Sequence, residues 1–211
     1  MSQRTSPRPP SGFRGRVVKA GDTPVSNANI ANLITVARIL LAPLFVWLVV
    51  ADGAEDGVQR WIAAALFIAA ISTDGLDGAL ARKRNLVTTS GILLDPIADK
   101  VLIGGALVAL AWVGDIPWWI VIVVLVRELG ITVFRFFALK DRVIAASWAG
   151  KIKTIAQAIA LSFWLVPSWT LVGEWIFVVN WILLGGAVML TLTSGIEYLW
   201  KAMRSSRTAD E

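Results

Sequence analysis

The chain has 211 residues, of which 56% are hydrophobic and 17% charged, with a formal net charge of +5. Its mean hydropathy of +0.69 lies well beyond soluble averages and points to a single integral membrane domain. Cysteine and histidine are both absent, which excludes disulfide frameworks, Cys/His zinc sites, thiol nucleophiles and Ser-His-Asp arrangements, and leaves carboxylates, Arg/Lys and hydroxyls to carry any chemistry.

Residues 1–28, beginning MSQRTSPRPPSGFRGR, hold Arg, Ser and Pro with no apolar core until Ile30, and read as a disordered basic cytoplasmic arm rather than a cleavable signal. Six apolar segments follow, at 33–51, 61–81, 92–113, 116–139, 148–166 and 175–200, each near the ~20 residues a hydrocarbon core requires. The breaks between them, such as ADGAEDG at 51–57 and VGDIP at 113–117, are short and carry turn chemistry, so they mark the two membrane surfaces. Arg4, Arg8, Arg14, Arg16 and Lys19 precede the first segment. Arg82, Lys83 and Arg84 follow the second, Lys140 and Arg142 the fourth, and Lys201, Arg204 and Arg207 the sixth. The opposite ends carry Asp52, Glu55, Asp56, Asp115 and Glu174, with Arg60 the only basic residue. The positive-inside rule then predicts an all-α integral membrane protein of six transmembrane helices with both termini cytoplasmic, in the cell membrane. Residues 29–203 form one domain and 204–211 a cytoplasmic tail. Tryptophans 61, 112, 118, 119, 148, 169, 175 and 200 fall near the segment ends, where interfacial anchors belong.

The positive charge suits a cytoplasmic face attracted to anionic lipid headgroups. It is spread over four separate segments with little aromatic interleaving, so no nucleic acid partner is expected.

One stretch breaks the pattern: STDGLDGALARKRNLVTTSGILLDPIADK, residues 72–100, sets Asp74, Asp77, Asp95 and Asp99 against or inside the membrane. Asp74 lies about 12 Å up the second helix from its cytoplasmic end, and Asp74, Asp77, Gly78, Ala81 and Arg82 share an arc of about 140°. Gly91, Asp95 and Asp99, spaced by four, stack along one face of the third helix. An aspartate at mid-helix costs roughly 2.5–3.5 kcal/mol on insertion scales, which calls for a function or a compensating partner. Each carboxylate alone is equally explained by solvation or by pairing with Arg82, Lys83 or Lys100. Four at these spacings, with oxygen donors only, suit hard divalent cations such as Mg²⁺ or Mn²⁺. Four carboxylates and a diphosphate diester total about −6, against about +5 from two divalent ions and Arg82. Gly78, Ala81 and Gly91 allow close approach of a bulky polar group, or equally of a neighbouring helix.

Asp74-x-x-Asp77-Gly78-x-x-Ala81-Arg82, then eight residues, Gly91, three residues, Asp95, three residues and Asp99 resembles the complete signature of the CDP-alcohol phosphotransferases. NIANLITVARILLAP at 29–43 resembles that family's first-span entry. VRELGITVFRFFAL and ASWAGKIKTIAQ resemble its phosphatidylglycerophosphate synthase branch. The resemblance implies a six-helix membrane enzyme, usually a homodimer, that displaces CMP from CDP-diacylglycerol with an alcohol, using two Mg²⁺ or Mn²⁺ ions. It implies that Asp74, Asp77, Asp95 and Asp99 hold the metals, with Asp99 also the general base for the attacking hydroxyl. Gly78, Arg82 and Thr88 match positions that contact the cytidine nucleotide, and Asn32, Ala81 and Gly91 join them as candidates on the CDP-lipid side.

For the branch, the acceptor is sn-glycerol 3-phosphate, whose phosphate needs fixed cations. Arg38, Arg127, Arg135, Lys151 and Lys153 are the candidates. Arg127 lies about ten residues into an apolar segment, a costly place unless it faces a polar cavity or pairs with a group such as Glu128; it is read as facing the site, with Arg135 about 80° around the helix on a compatible face. Lys151 and Lys153 are equally explained as ordinary positive-inside residues. Other acceptors, inositol 1-phosphate or phosphatidylglycerol (as in cardiolipin synthesis), stay open. So does a cation transporter, although that would favour broken helices near the midplane in paired repeats.

Overall fold

The computed structural model describes residues 30–53, 55–83, 89–138 and 148–207. Within them, side chains are described except those of 30–32, 74–83, 89–96, 134–138, 148–149, 199 and 201–207. The proposed basic arm lies outside the described residues, as does the tail beyond 207.

The described residues form helices and no strands: α1 (Ile30–Asp52), α2 (Val58–Lys83), α3 (Thr89–Trp112), α4 (Trp118–Ala138), α5 (Trp148–Leu165), the single turn α6 (Trp169–Val172) and α7 (Ile176–Arg207). The six long helices overlap the six apolar segments read from the sequence, with ends shifted by a few residues. Two stretches, Leu33–Asp52 and Ile176–Tyr198, are long and apolar enough to cross a bilayer. The intervening helices carry charged residues within their length: aspartates in α2 and α3, Arg127 and Glu128 in α4, Lys151 and Lys153 in α5.

Helix termini follow local chemistry. At the end of α3 the Asp115 amide bonds to Leu110 O at 2.9 Å and the Gly114 amide to Ala111 O at 3.3 Å. Gly114 adopts φ +91°, so the pair is a Schellman cap that needs a residue without Cβ, and Pro117 follows it. After α1, the Gly57 amide donates to Asp52 Oδ1 at 3.0 Å and closes the turn into α2. Hydroxyls inside the helices are satisfied by carbonyls of the preceding turn, as with Thr73 on Ala69 O, Ser162 on Ala158 O and Thr191 on Ala187 O. This is how Ser and Thr persist in apolar helices without an orphaned donor.

Helix α1 packs broadly against α2 and α3, and α5 packs broadly against α7. Helix α3 touches α1, α2, α4 and α5 and so joins the two halves. The first half is built on small residues: Ala42, Ala63, Ala64, Ala70, Ala98, Ala106 and Ala109 are buried, and Phe45 meets Phe67 edge to face at 5.5 Å. Gly105 lets α1 approach so closely that a Cβ there would lie 3.1 Å from Val46 Cγ2. In the second half Trp164 packs edge-on against Trp181 at 5.2 Å and donates to Asn180 O at 3.2 Å. The outer faces are apolar, including Leu33, Leu40 and Trp47 on α1, Ile122, Val126 and Val133 on α4, and Val178, Ile182 and Ile196 on α7. Such an outward apolar surface is what lipid solvates.

Trp61, Trp112, Trp118, Trp119, Trp175 and Trp200 are exposed at helix ends, as anchors should be. Trp169 is different. Its ring stacks on Phe177 at 4.9 Å, lies 5.6 Å from the Arg60 guanidinium carbon, and its N–H donates to Asp56 Oδ2 at 2.6 Å. Arg60, fully buried, donates to Leu165 O at 3.2 Å and Trp164 O at 3.0 Å, and pairs with Asp115. One arginine therefore ties α2, the α3–α4 turn and the end of α5 together. Asp115 lies in the turn, where burial raises its carboxyl above the ordinary range by more than the neighbouring Arg60 lowers it.

Candidate active site

The other ends of the helices gather the residues singled out by the sequence. Asp74, Asp77, Gly78, Ala81 and Arg82 lie in the last turns of α2, and Gly91, Asp95 and Asp99 in the first half of α3. Asn32 and Arg38 lie in the first half of α1, Arg127 near the middle of α4 and Arg135 in its second half, and Lys151 and Lys153 at the start of α5. The side chains of Asn32, Asp74, Asp77, Arg82, Asp95 and Arg135 are outside the described ones, as are those of Ala81 and the glycines 78 and 91. Thr88 lies outside the described residues.

Asp99 is described, and it lines a cleft with about 400 Å³ of empty space, partly continuous with solvent. Lys100, Ile103, Gly104, Val124, Leu125, Glu128, Leu129 and Gln157 complete the lining. Helices α3, α4 and α5 thus supply its walls. Gly104 brings α3 and α4 together: a Cβ at that position would sit 3.3 Å from Leu125 Cδ2.

Behind Glu128 lies a charged triad. Its Oε1 accepts from Arg127 Nη1 at 2.9 Å and from Lys153 Nζ. The three side chains are 14%, 17% and 7% exposed for Arg127, Glu128 and Lys153 respectively. Arg127 also donates through Nη2 to Ser194 Oγ on α7 at 2.7 Å. Its stem crosses Gly195, where a Cβ would come 3.3 Å from Arg127 Cγ and 3.2 Å from Nε. Only a residue without a side chain leaves that room. Ser194 Oγ donates onward to Thr191 O at 3.0 Å, and Gln157 Nε2 donates to Thr191 Oγ1 at 2.9 Å. Asp99 is among the groups whose field reaches Lys153.

The placement of the cations differs in detail from the sequence expectation. The sequence reading has Arg127 facing the site; in the structure it is not lipid-facing, but its guanidinium pairs with Glu128 and turns to α7, and Glu128 is the member of the pair that lines the cleft. Lys153 is buried in the triad, whereas Lys151 is exposed, in keeping with an ordinary surface lysine. Arg38 is 2% exposed and beside Thr35, also buried, so it faces protein rather than lipid. Sequence reasoning passed over Gln157, Thr191, Ser194 and Gly195, because a polar or small residue in an apolar helix carries no mark of the partner it meets.

The donor set fits a hard divalent cation: aspartates at fixed helical spacing, with no His or Cys in the chain. Among the described residues no group of three acidic, His or Cys side chains is gathered to hold a metal, and three of the four signature aspartates have side chains outside that set.

A model of the CDP-alcohol phosphatidyltransferase family matches residues 28–193, which takes in α1 through most of α7 and every wall of the cleft. A Mycobacterium tuberculosis protein named "Probable phosphatidylglycerophosphate synthase" is 40% identical over 177 residues, 84% of this chain and 83% of its own. Proteins named "CDP-diacylglycerol--glycerol-3-phosphate 3-phosphatidyltransferase" are similar in Bacillus subtilis, 41% identical over 84% of this chain and 98% of the relative, and in Rickettsia felis, 34% identical over 81% and 93%. With the aspartate signature carried on α2 and α3 and the match running from α1 into α7, the chain belongs to the CDP-alcohol phosphatidyltransferase family.

Proposed function

We propose that the protein transfers the phosphatidyl group of CDP-diacylglycerol to a hydroxyl of sn-glycerol 3-phosphate, giving phosphatidylglycerophosphate and CMP. The observation that carries this reading is the cleft that has Asp99 on one wall and Glu128, backed by Arg127 and Lys153, on another. An acceptor there can present its hydroxyl to a carboxylate and its phosphate to fixed cations. The names of the relatives point to the same acceptor.

Asp99 takes the proton from the attacking hydroxyl, the acceptor oxygen bonds to the phosphatidyl phosphorus, and the bond from that phosphorus to the CMP oxygen breaks. Asp74, Asp77, Asp95 and Asp99 would hold two divalent ions, Mg²⁺ or Mn²⁺. When bound, such ions polarise the diphosphate and offset the charge that develops on departing CMP. Asn32, Gly78, Ala81, Arg82, Thr88 and Gly91 form the CDP-lipid side, with the Arg82 guanidinium a planar donor fork for phosphate. Arg38, Arg127, Arg135, Lys151 and Lys153 serve the acceptor phosphate, with Arg127 and Lys153 held just behind the cleft wall by Glu128. The apolar outer faces and the basic residues at the signature end support six membrane spans with the site and both termini on the cytoplasmic side of the cell membrane, and the family resemblance implies a homodimer.

The test is CMP release by purified protein given CDP-diacylglycerol, Mn²⁺ and, separately, glycerol 3-phosphate, inositol 1-phosphate, phosphatidylglycerol, inositol and serine. Release with glycerol 3-phosphate is expected. Release only with another acceptor refutes the acceptor assignment, and none with any acceptor refutes the reaction and reopens cation transport.

A further inference from the structure

Arg127 and Lys153 do not line the cleft; Glu128 does, and its Oε1 already holds both of them. Among the described residues that line it, two are carboxylates, Asp99 and Glu128, and one is a cation, Lys100. An anionic acceptor entering there meets a carboxylate before it meets the cations that are to bind its phosphate. Like charges at close range repel strongly where water is scarce.

We infer that Glu128 is a displaceable counter-ion: it neutralises Arg127 and Lys153 between turnovers and surrenders them to the acceptor's phosphate, so that it sets specificity for a dianionic head. The inference rests on the acceptor reading given above. Three features support it. Arg127 keeps a second anchor on Ser194 Oγ and a bed over Gly195, so its guanidinium stays in place when the carboxylate leaves. Glu128 lines the cleft, so the space beside it is not filled by protein. Two cations buried this deeply are costly without an internal anion, which explains why a carboxylate is retained at a site for phosphate. A phosphate monoester offers two charges in exchange for one carboxylate, whereas a neutral-headed alcohol offers none, and the exchange therefore discriminates between them.

The test compares Glu128→Gln and Glu128→Asp with the parent enzyme in detergent. It measures the KM for glycerol 3-phosphate, kcat, and the inhibition constant of inorganic phosphate as a non-reacting anion. Glu128→Gln is expected to lower both the KM and the phosphate inhibition constant about threefold to tenfold, as loss of one partly buried charge competitor should. Glu128→Asp, which keeps the charge, is expected to stay closer to the parent on both. A raised KM with a lowered kcat in Glu128→Gln overturns the inference and makes Glu128 a support for the cations instead.

If Glu128→Gln does not give a monodisperse protein, Glu128→Gln/Lys153→Met removes one charge of each sign. Its KM is expected to lie below that of Lys153→Met alone, because Arg127 is released, and an equal or higher value overturns the inference. A KM that rises in Lys153→Met but stays unchanged in Glu128→Gln overturns this inference alone. A KM unmoved by both Arg127→Ala and Lys153→Met overturns the acceptor reading, and the inference with it.

Discussion

Replacing Arg60 with methionine tests whether the end of the bundle opposite the cleft is held by one side chain. Methionine keeps much of the stem volume but removes two hydrogen bonds to the carbonyls of Leu165 and Trp164, the pairing with Asp115 and the contact with the Trp169 ring. Breaking a buried ion pair by removing one partner costs about 3–5 kcal/mol, since the other charge stays behind without compensation. For a chain of this size each kcal/mol moves the midpoint by about 2–4 °C, so thermal unfolding of the detergent-purified protein should begin about 6–20 °C lower. Tryptophan fluorescence is a suitable probe, because Trp164 and Trp169 border the arginine. The KM for glycerol 3-phosphate should stay near that of the parent at temperatures where both are folded. A midpoint within about 3 °C of the parent would refute the assignment of Arg60 as the tie.

Further outcomes follow from the same geometry. Asp115→Asn should show a pH signature: because burial raises the folded-state pKa of Asp115, its contribution to stability is present at low pH and lost as pH rises through that raised value. The parent should therefore gain stability relative to Asp115→Asn as pH falls through the raised value toward the ordinary carboxylate range, and a relative loss contradicts the raised pKa. Asp99→Asn should reduce turnover by about 10²-fold to 10⁴-fold while CDP-lipid binding in Mn²⁺, followed by equilibrium dialysis of a labelled substrate, stays within a few-fold; loss of both together makes Asp99 chiefly a ligand. Arg127→Ala should raise the KM for glycerol 3-phosphate about tenfold or more with a smaller change in kcat, and an unchanged KM removes Arg127 from the acceptor site.

Much of the bundle was legible before any coordinates. Long apolar runs bounded by Gly, Pro and Asp place six long helices to within a few residues, because burial from water demands the runs and turn chemistry ends them. The turn α6 was not legible, since four residues between Pro167 and Gly173 show no periodicity. Spacing put the aspartates on two helix faces, but a 3.6-residue period names a face and not its partner. Arg60 illustrates the limit. In sequence it is an isolated basic residue, whereas its partners lie 55, 104 and 105 positions away and exist only once α2, the α3–α4 turn and α5 have met. Glu128 was foreseen as a partner for the neighbouring Arg127, but the third member, Lys153, is 25 positions on and enters through the packing of α5.

The close crossing at Gly104 and Leu125 governs how α3 and α4 face each other across the cleft. Gly104 lies five positions after Asp99, and Leu125 three before Glu128, so this crossing sits about one helical turn from each of the two carboxylates that line the cleft. A methyl group on residue 104 would start 3.3 Å from the leucine, close enough that the neighbour must give way. The atom met is the end of a flexible leucine, so a change of rotamer can absorb part of that pressure and the remainder falls on the spacing of α3 and α4. The spacing between the two carboxylate-bearing walls of the cleft is thus set at a point where one helix carries only a hydrogen atom.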